Sequence, residues 1–478
     1  MNTAQSARYF LRKKLLPRRG LWYNSVVVSE LGDRKTRQRR EFIGGAAGLF
    51  AIAAAGRAFG AGAASNRVRL AVMGCHAKGR GFQLMQRAAE LPGVEVAAVC
   101  DVDARARKAA ADKVQEITGV RPKELVDFRA ALDDAGIDGL VCAAPDHWHA
   151  WAAVAAMKAG KAIYVEKPCS ATAAELEVLR RVQKETGAVF EMGSQRRSAS
   201  VTLAAMKEIH AGVIGDIHFA RTWYQNARKP LAKGNFTEVP EWLDWALWQG
   251  PVPHERYRDN VVHYNWHWSR TWGTGECPNN ATHFVDLARW AMGLEYPETV
   301  VSSGGKLYHR DSEDWQWPDT QHVSWTFPNG NVITWEGQSA VKYPKPNDAW
   351  SGCYLLGTKG SVLFGPADAT LFDGNGDEVK KWDSASGNRS VTSLTNPTDV
   401  ADREHMVNFT EAVRAHDPKL CSQPIDSSVK STLLVHLGNI AWLTGETVKV
   451  DSATGRLLKD SPGREFWGRE YEKGWNLG

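Results

Sequence analysis

A lysine fixed between an acid and a proline is the clearest chemical feature of this chain. Glu166-Lys167-Pro168 directly follows the apolar run Ala162–Val165, and a helical stretch separates that run from an earlier one, Gly139–Ala144. This strand–helix–strand spacing is typical of a parallel sheet, and ligands bind beyond the carboxyl ends of such strands. We therefore expect Lys167 to lie at a ligand, as a proton donor or charge partner.

A glycine-rich turn joins the first expected strand, Val68–Met73, to a helix expected over Phe82–Glu90. Its sequence departs from G-x-G-x-x-G because His76 stands where the second glycine is usual. Backbone N–H groups of such a turn approach a pyrophosphate at the helix N-terminus. The residues expected to bind a dinucleotide here are Gly74, His76, Ala77, Lys78, Gly79 and Arg80.

The second expected strand, Val94–Cys100, ends at Asp101, where an acid accepts hydrogen bonds from the adenosine ribose. An acid repels a 2′-phosphate and favours NAD, although Arg105 nearby softens that preference and leaves NADP open. Pro145 and His149 are expected on the nicotinamide side, with the alternative that His149 only caps its helix. Glu166 and Lys167 complete the predicted cofactor site.

The charge of the chain is concentrated at its start. Eleven of the first forty residues are Lys or Arg and two are acidic, a net charge of +9; because the total is +5, the remainder carries −4. A mildly acidic body argues against nucleic acid as a partner. Arg39-Arg40, the short and weakly apolar stretch Gly44–Gly62, and small residues near Ala61-Gly62-Ala63 predict a twin-arginine export signal. We therefore expect periplasmic or other export through the twin-arginine machinery; a basic tail before a membrane anchor is the alternative.

The apolar pattern divides the chain into four parts. Residues 1–63 form the signal and basic extension, and 64–193 a doubly wound Rossmann domain of six alternating strands. Residues 194–445 form an α/β substrate and oligomerisation domain with a large, mostly antiparallel open sheet, whose last helices pack back on the first domain. Residues 446–478 are a tail, and 373–396 is the best loop candidate. The open sheet predicts a homo-oligomer, a dimer or tetramer.

Four motifs together resemble the glucose–fructose oxidoreductase / inositol dehydrogenase / MocA family. They are Val68–Gly81, Pro145-x-x-x-His149, Ala159-Gly160-Lys161 leading to Glu166-Lys167-Pro168, and Gly275 with His283-x-x-Asp286. The resemblance spans roughly residues 66–445. It implies a Rossmann domain followed by a mixed α/β domain, NAD or NADP as cofactor, and oxidation of a secondary hydroxyl of a sugar, cyclitol or polyol.

The resemblance also implies residue roles. Lys167 corresponds to the catalytic lysine and His283 to the general base, while Asn279 stands where the inositol dehydrogenase branch often has Asp. An Asn cannot relay a proton, so it is expected to bind substrate or orient His283. The pair His147-x-His149 lacks a carboxylate cluster at ligand spacing, and no metal site is predicted.

Thirteen of the twenty tryptophans lie between Trp223 and Trp350. Indole faces stack on sugar rings, but most of these tryptophans are expected in the core or an interface. One or two of Tyr264, Trp266, His267 and Arg270 are expected to face the substrate. Arg196, after the sixth strand, is expected at the same cleft, where it binds substrate or cofactor or pairs with an acid.

Three functions remain open at this level. The first is an exported NAD(P)-dependent oxidoreductase of a sugar, glycoside or polyol hydroxyl, including a variant that recycles a tightly held cofactor. The second is an NAD-dependent, redox-neutral glycoside hydrolase working by oxidation and elimination, a branch that Gly79-Arg80-Gly81 resembles. The third is a non-catalytic sugar-binding protein, against which the presence of both Lys167 and His283 counts.

Overall fold

The computed structural model describes residues 67–344, 349–383 and 397–478, which belong to one compact unit beginning at Gly62. The predicted export signal lies outside the described residues. The first sheet has six parallel strands in the order β3-β2-β1-β4-β5-β6. Its strands are β1 Val68–Met73, β2 Val94–Cys100, β3 Lys123–Leu125, β4 Gly139–Cys142, β5 Ala162–Val165 and β6 Phe190–Met192.

Burial explains why these strands form where they do. Every residue of β4 and β5 is buried, as expected for a parallel sheet covered by helices on both faces. Strand order reverses between β1 and β4, which places the nucleotide crevice beyond their carboxyl ends. Only glycine fits at position 74 beside this crevice. Its φ is +85°, and a Cβ there would lie 2.6 Å from the carbonyl oxygen of Ala143.

The second sheet has nine strands in the order β14-β13-β12-β11-β7-β10-β9-β8-β15, antiparallel except for the pair β7–β10. This confirms the predicted fold class. The strands are β7 Ile217–Gln225, β8 Thr299–Gly305, β9 Thr320–Thr326, β10 Val332–Gln338, β11 Ser351–Gly357, β12 Gly360–Phe364, β13 Ala369–Asp373, β14 Glu378–Trp382 and β15 Val448–Lys449.

Ten α-helices accompany the sheets within the described ranges, and the last two return to the first sheet. Met406 and Phe409 of the ninth helix pack in the same apolar cluster as Leu70 and Val72 of β1. The helices are α1 Arg80–Ala89, α2 Ala104–Thr118, α3 Arg129–Leu132, α4 Asp146–Lys158, α5 Ala173–Thr186, α6 Ser200–His210, α7 Trp245–Gln249, α8 Thr282–Met292, α9 Pro397–Ala415 and α10 Ile425–Thr444.

One prediction about the second domain was wrong, and two of its strands were not predicted. The stretch 373–396 was expected to be a loop, yet Glu378–Trp382 within it form β14, an edge strand with four of its five residues exposed. The short strands β12 and β13 were not predicted at all. No helix within residues 67–344, 349–383 and 397–478 is long and apolar enough to cross a membrane.

Candidate functional site

Two cavities meet at Lys167. The larger, about 840 Å³, extends from the glycine-rich loop and Asp101 to Lys167 and Asn279. The smaller, about 330 Å³, continues past Lys167 to His283 and Arg196. Six residues line both cavities: Arg80, Gln83, Glu166, Lys167, Tyr224 and Asn280. Both volumes lie in the usual range of small-molecule sites.

The glycine-rich loop has the features of a phosphate cradle. Helix α1 begins at Arg80 after Gly79, and no side chain of the described residues caps it, so its first N–H groups stay available to an anion. Gly74, His76, Lys78 and Gly79 line the large cavity. Ala77, also predicted to bind cofactor, is outside the described lining. The loop therefore fits a dinucleotide.

Asp101, the acid after β2, is hydrogen-bonded to the backbone of the glycine-rich loop. One carboxylate oxygen of Asp101 accepts the backbone N–H of Cys75 at 2.7 Å, and the other accepts that of Asp103 at 3.0 Å. Arg105 is engaged elsewhere: its guanidinium pairs with Asp103 at 2.9 Å and lies 3.4 Å over the ring of Trp242. Arg105 thus does not offset the preference of the acid for an unphosphorylated ribose.

A segment of the second half of the chain, Trp242–His263, crosses this ribose edge; we call it the strap. Its backbone pairs with the end of β2, because Ala104 N–H donates to Trp242 O at 2.9 Å and Asp244 N–H donates to Val102 O at 3.1 Å. Its His263 lies 2.8 Å from a carboxylate oxygen of Asp103.

The strap also covers the glycine-rich loop itself. The His263 ring stacks on His76 with centroids 4.1 Å apart. The strap could not be predicted from the sequence, because a pairing between residues so far apart leaves no periodic signal.

Lys167 is held from the other domain. Its ammonium donates to the backbone oxygen of Asn279 at 2.6 Å and to the Asn279 side-chain oxygen at 2.7 Å. Burial lowers the pKa of Lys167, partly opposed by the neighbouring Glu166 carboxylate. The Asn279 side chain therefore positions Lys167.

Glu166 and Arg80 belong to one buried ion-pair group. Arg80 pairs with Glu166 at 3.1 Å and with Asp402 of α9 at 2.6 Å. Both were predicted to bind cofactor; they line both cavities while they hold each other.

His283 lies free in the smaller cavity. Its ring makes no hydrogen bond with any described residue, and Nδ1 is buried without a partner. Burial, followed by the cations Lys167 and Arg196, lowers the pKa of His283 well below its ordinary value. The imidazole is therefore neutral at pH 7, and its Nδ1 has no hydrogen-bond partner among the described residues.

Both ring nitrogens of His149 contact backbone carbonyl oxygens, although the residue borders the large cavity beside Pro145. Its Nδ1 lies 2.6 Å from the carbonyl oxygen of Pro168, and its Nε2 lies 2.7 Å from that of Ala144. The ring thereby ties α4 to the loop after β5. The predicted place of His149 on the nicotinamide side stays a prediction.

The four residues predicted to face a substrate lie in two different cavities. Tyr264, Trp266 and His267 line the large cavity, whereas Arg270 lies in a separate groove beside Trp317. Burial lowers the pKa of His267 to about 3, and its Nδ1 donates to Tyr264 O at 2.6 Å, which leaves Nε2 as an acceptor.

Further lining residues carried no sequence signal. Arg228 pairs with Glu276 at 2.9 Å, and Asp146 accepts the Thr274 hydroxyl at 2.6 Å. Asn280 stands between the cavities.

In the described part of the chain no group of three His, Cys, Asp or Glu residues is placed to hold a metal ion.

Comparisons with known sequences match both domains. The model of an "Oxidoreductase family, NAD-binding Rossmann fold" matches residues 68–194, and that of an "Oxidoreductase family, C-terminal alpha/beta domain" matches residues 248–431. A glycosyl hydrolase family 109 protein of Stenotrophomonas maltophilia is 27% identical over 341 residues, 68% of this chain and 73% of the relative. The scyllo-inositol 2-dehydrogenase (NAD(+)) of Bacillus subtilis is 30% identical over 300 residues, 63% of this chain and 74% of the relative.

Three other curated relatives, two inositol 2-dehydrogenases and a levoglucosan dehydrogenase, align over 38–42% of their own length. Among solved structures, levoglucosan dehydrogenase in complex with NADH and levoglucosan superposes with a TM-score of 0.62 at 17% identity. That match covers 80% of this chain and 99% of the other. It shows a shared fold.

Opening the strap is expected to speed release of bound nucleotide. Asp103→Asn keeps the cap of α2 but removes the charged contact to His263, and His263→Ala also removes the stack on His76. Losing a hydrogen bond to a charged group predicts a release rate about tenfold higher. NADH fluorescence after dilution into excess NAD measures the rate. Unchanged release in His263→Ala, relative to the exposed control His218→Ala, would contradict the role of the strap.

Proposed function

Because the chain belongs to the glucose–fructose oxidoreductase / inositol dehydrogenase / MocA family, we propose that it oxidises or reduces a secondary hydroxyl of a sugar, glycoside or polyol with NAD. One observation carries the proposal. Lys167 and the unpartnered, neutral His283 line one cavity, which opens on the cavity that fits the dinucleotide.

Two side chains share the work at the reacting hydroxyl. His283 takes the hydroxyl proton, since its neutral ring has an unoccupied nitrogen. Lys167 donates to the same oxygen and stabilises the negative charge that develops there. Asn279 holds the ammonium in place through two oxygens. Bound NAD supplies the acceptor for the hydride that leaves the carbinol carbon.

The dinucleotide would be held by residues of the larger cavity. The loop Gly74–Arg80 and the start of α1 would take the pyrophosphate, Asp101 the ribose, and Pro145 the end near Lys167. The strap would cover the ribose end.

A redox-neutral glycoside hydrolase is the second candidate. Oxidation followed by elimination needs a base for a ring C–H in addition to the base for the hydroxyl. His267 offers a second neutral imidazole in the large cavity, and its pKa is lowered by burial and then by Lys167. The likeness to the family 109 protein points the same way. A non-catalytic role leaves the free His283 unexplained.

The experiment that separates these functions follows the nicotinamide absorbance of the purified protein with a panel of free sugars and aryl glycosides. A lasting absorbance change on a free sugar is the expected result. Aglycone release without a lasting change would indicate the hydrolase instead. A protein that neither contains nor binds NAD or NADP would contradict both.

The pH profile of kcat/KM should be displaced at both ends. The low pKa of His283 keeps it neutral, so activity should persist below pH 6.5; the lowered pKa of Lys167 means that activity falls as its ammonium loses its proton, below pH 10.5. Lys167→Arg should remove the alkaline limb, because guanidinium stays charged. The measurement is kcat/KM from pH 5 to 10, with exposed Lys108→Arg as control. An alkaline limb that Lys167→Arg leaves in place would show that another group titrates.

We propose further that the protein is exported, on the strength of its basic head and Arg39-Arg40 alone. Arg39→Lys with Arg40→Lys should retain the precursor in the cytoplasm, as read by fractionation and immunoblot. The upstream pair Arg18-Arg19, changed likewise, is the matched control. Equal export of both variants would refute the signal. We also propose a homo-oligomer, on the strength of the open nine-stranded sheet.

A further inference from the structure

The guanidinium of Arg196 is a half-buried cation that forms no ion pair with an acid among the described residues. It lies in the turn Gln195–Arg197 after β6 and lines the smaller cavity with His283. Its contacts are one hydrogen bond to the carbonyl oxygen of Gly365, at 3.1 Å, and the face of Phe284, 4.3 Å from its Cζ. The next residue, Arg197, contrasts with it by pairing with Asp286 at 2.7 Å.

The electrostatics of Arg196 agree with this isolation. Burial lowers its pKa to about 10, so the group stays charged at pH 7 although its surroundings disfavour the charge. A partly desolvated charge without a partner is unfavourable in the free protein, and an anionic ligand would compensate it.

Three of the four acids that line the same cavity are engaged with other groups. Glu166 pairs with Arg80 at 3.1 Å, Asp368 pairs with Lys381 at 3.1 Å, and Glu404 accepts the backbone N–H of Ser200 at 3.1 Å. The fourth, Asp399, lies in the first turn of α9, and none of the four contributes to the shifted pKa of Arg196. The guanidinium is thus left without an acidic partner among the described residues of the cavity wall.

We infer that the substrate carries a carboxylate, which Arg196 binds while the reacting hydroxyl lies at Lys167 and His283. A planar guanidinium fixed on one side by Phe284 and Gly365 presents its remaining N–H donors to a carboxylate in parallel. The acids Asp399 and Glu404 on the wall disfavour a phosphate dianion. The substrate class is therefore a uronic acid or its glycoside. This inference rests on the proposed function, because it concerns the same site.

Binding and turnover are measured separately to keep the two ideas distinguishable. Isothermal titration of the NAD-loaded protein compares three matched pairs: glucuronate with glucose, galacturonate with galactose, and mannuronate with mannose. We expect at least one uronate to bind more than about tenfold tighter than its neutral partner, as for other charge-assisted contacts. Arg196→Gln should remove that difference and leave neutral-sugar binding within about twofold, whereas exposed Arg121→Gln should preserve it.

A stability measurement separates a binding arginine from a structural one. If Arg196 serves a ligand, Arg196→Gln removes an uncompensated charge and the melting temperature of the free protein stays equal or rises. A lower melting temperature with an unchanged uronate preference would make Arg196 structural. Equal affinities within every pair, no detectable uronate binding, or tighter binding of glucose 6-phosphate than of glucuronate would also overturn the inference. Uronate binding that depends on Arg196, without turnover of any sugar, would support the carboxylate site at Arg196 and refute the proposed reaction.

Discussion

The site depends on a balance of four charges where three parts of the chain meet. Arg80 opens α1, Glu166 follows β5 and Asp402 lies in α9, and the two buried acids flank the half-buried guanidinium. Lys167 supplies the second positive charge beside them. Removing Arg80 would leave two buried carboxylates without their cation, which destabilises the fold. The glycine-rich loop, the lysine strand and the C-terminal helices are therefore fixed relative to one another by electrostatics as much as by packing.

The two domains divide the chemistry between them. The first sheet presents Lys167, whereas the second domain supplies His283 and the oxygens that hold the lysine. A π-helical turn, Cys277–Ala281, immediately precedes α8 and brings both oxygens of Asn279 to the ammonium. Such turns are frequent at functional sites because they redirect side chains without ending the helix. Burial then lowers the pKa values of Lys167 and His283 together, so one physical cause prepares both groups.

The sequence predicts the features that leave a local pattern in the chain, and it does not predict those that depend on contacts between distant residues. The bounds of β1, β2 and β5 agree with the apolar runs, because buried parallel strands read as continuous apolar segments. Lys167 and His283 were found through motifs. The strap was invisible because it pairs segments far apart in the chain, and the structural use of His149 depends on two carbonyls that no local pattern reveals. Strand β12 begins with Gly360-Ser361 and so lacks the continuous apolar run that revealed the even shorter β5.

The ion pair between Arg80 and Asp402 joins residues 322 positions apart. Translation therefore completes the whole first sheet long before its ribosome reaches the second acid. Until then Arg80 has Glu166 as its one acidic partner among the described residues, and the strap has not yet covered the ribose edge. Contacts of such long range form slowly and late, since chain closure must precede them. The nucleotide site is thus a property of the finished chain, and a growing or truncated chain would display an open loop that is exposed to the cell's folding and degradation machinery.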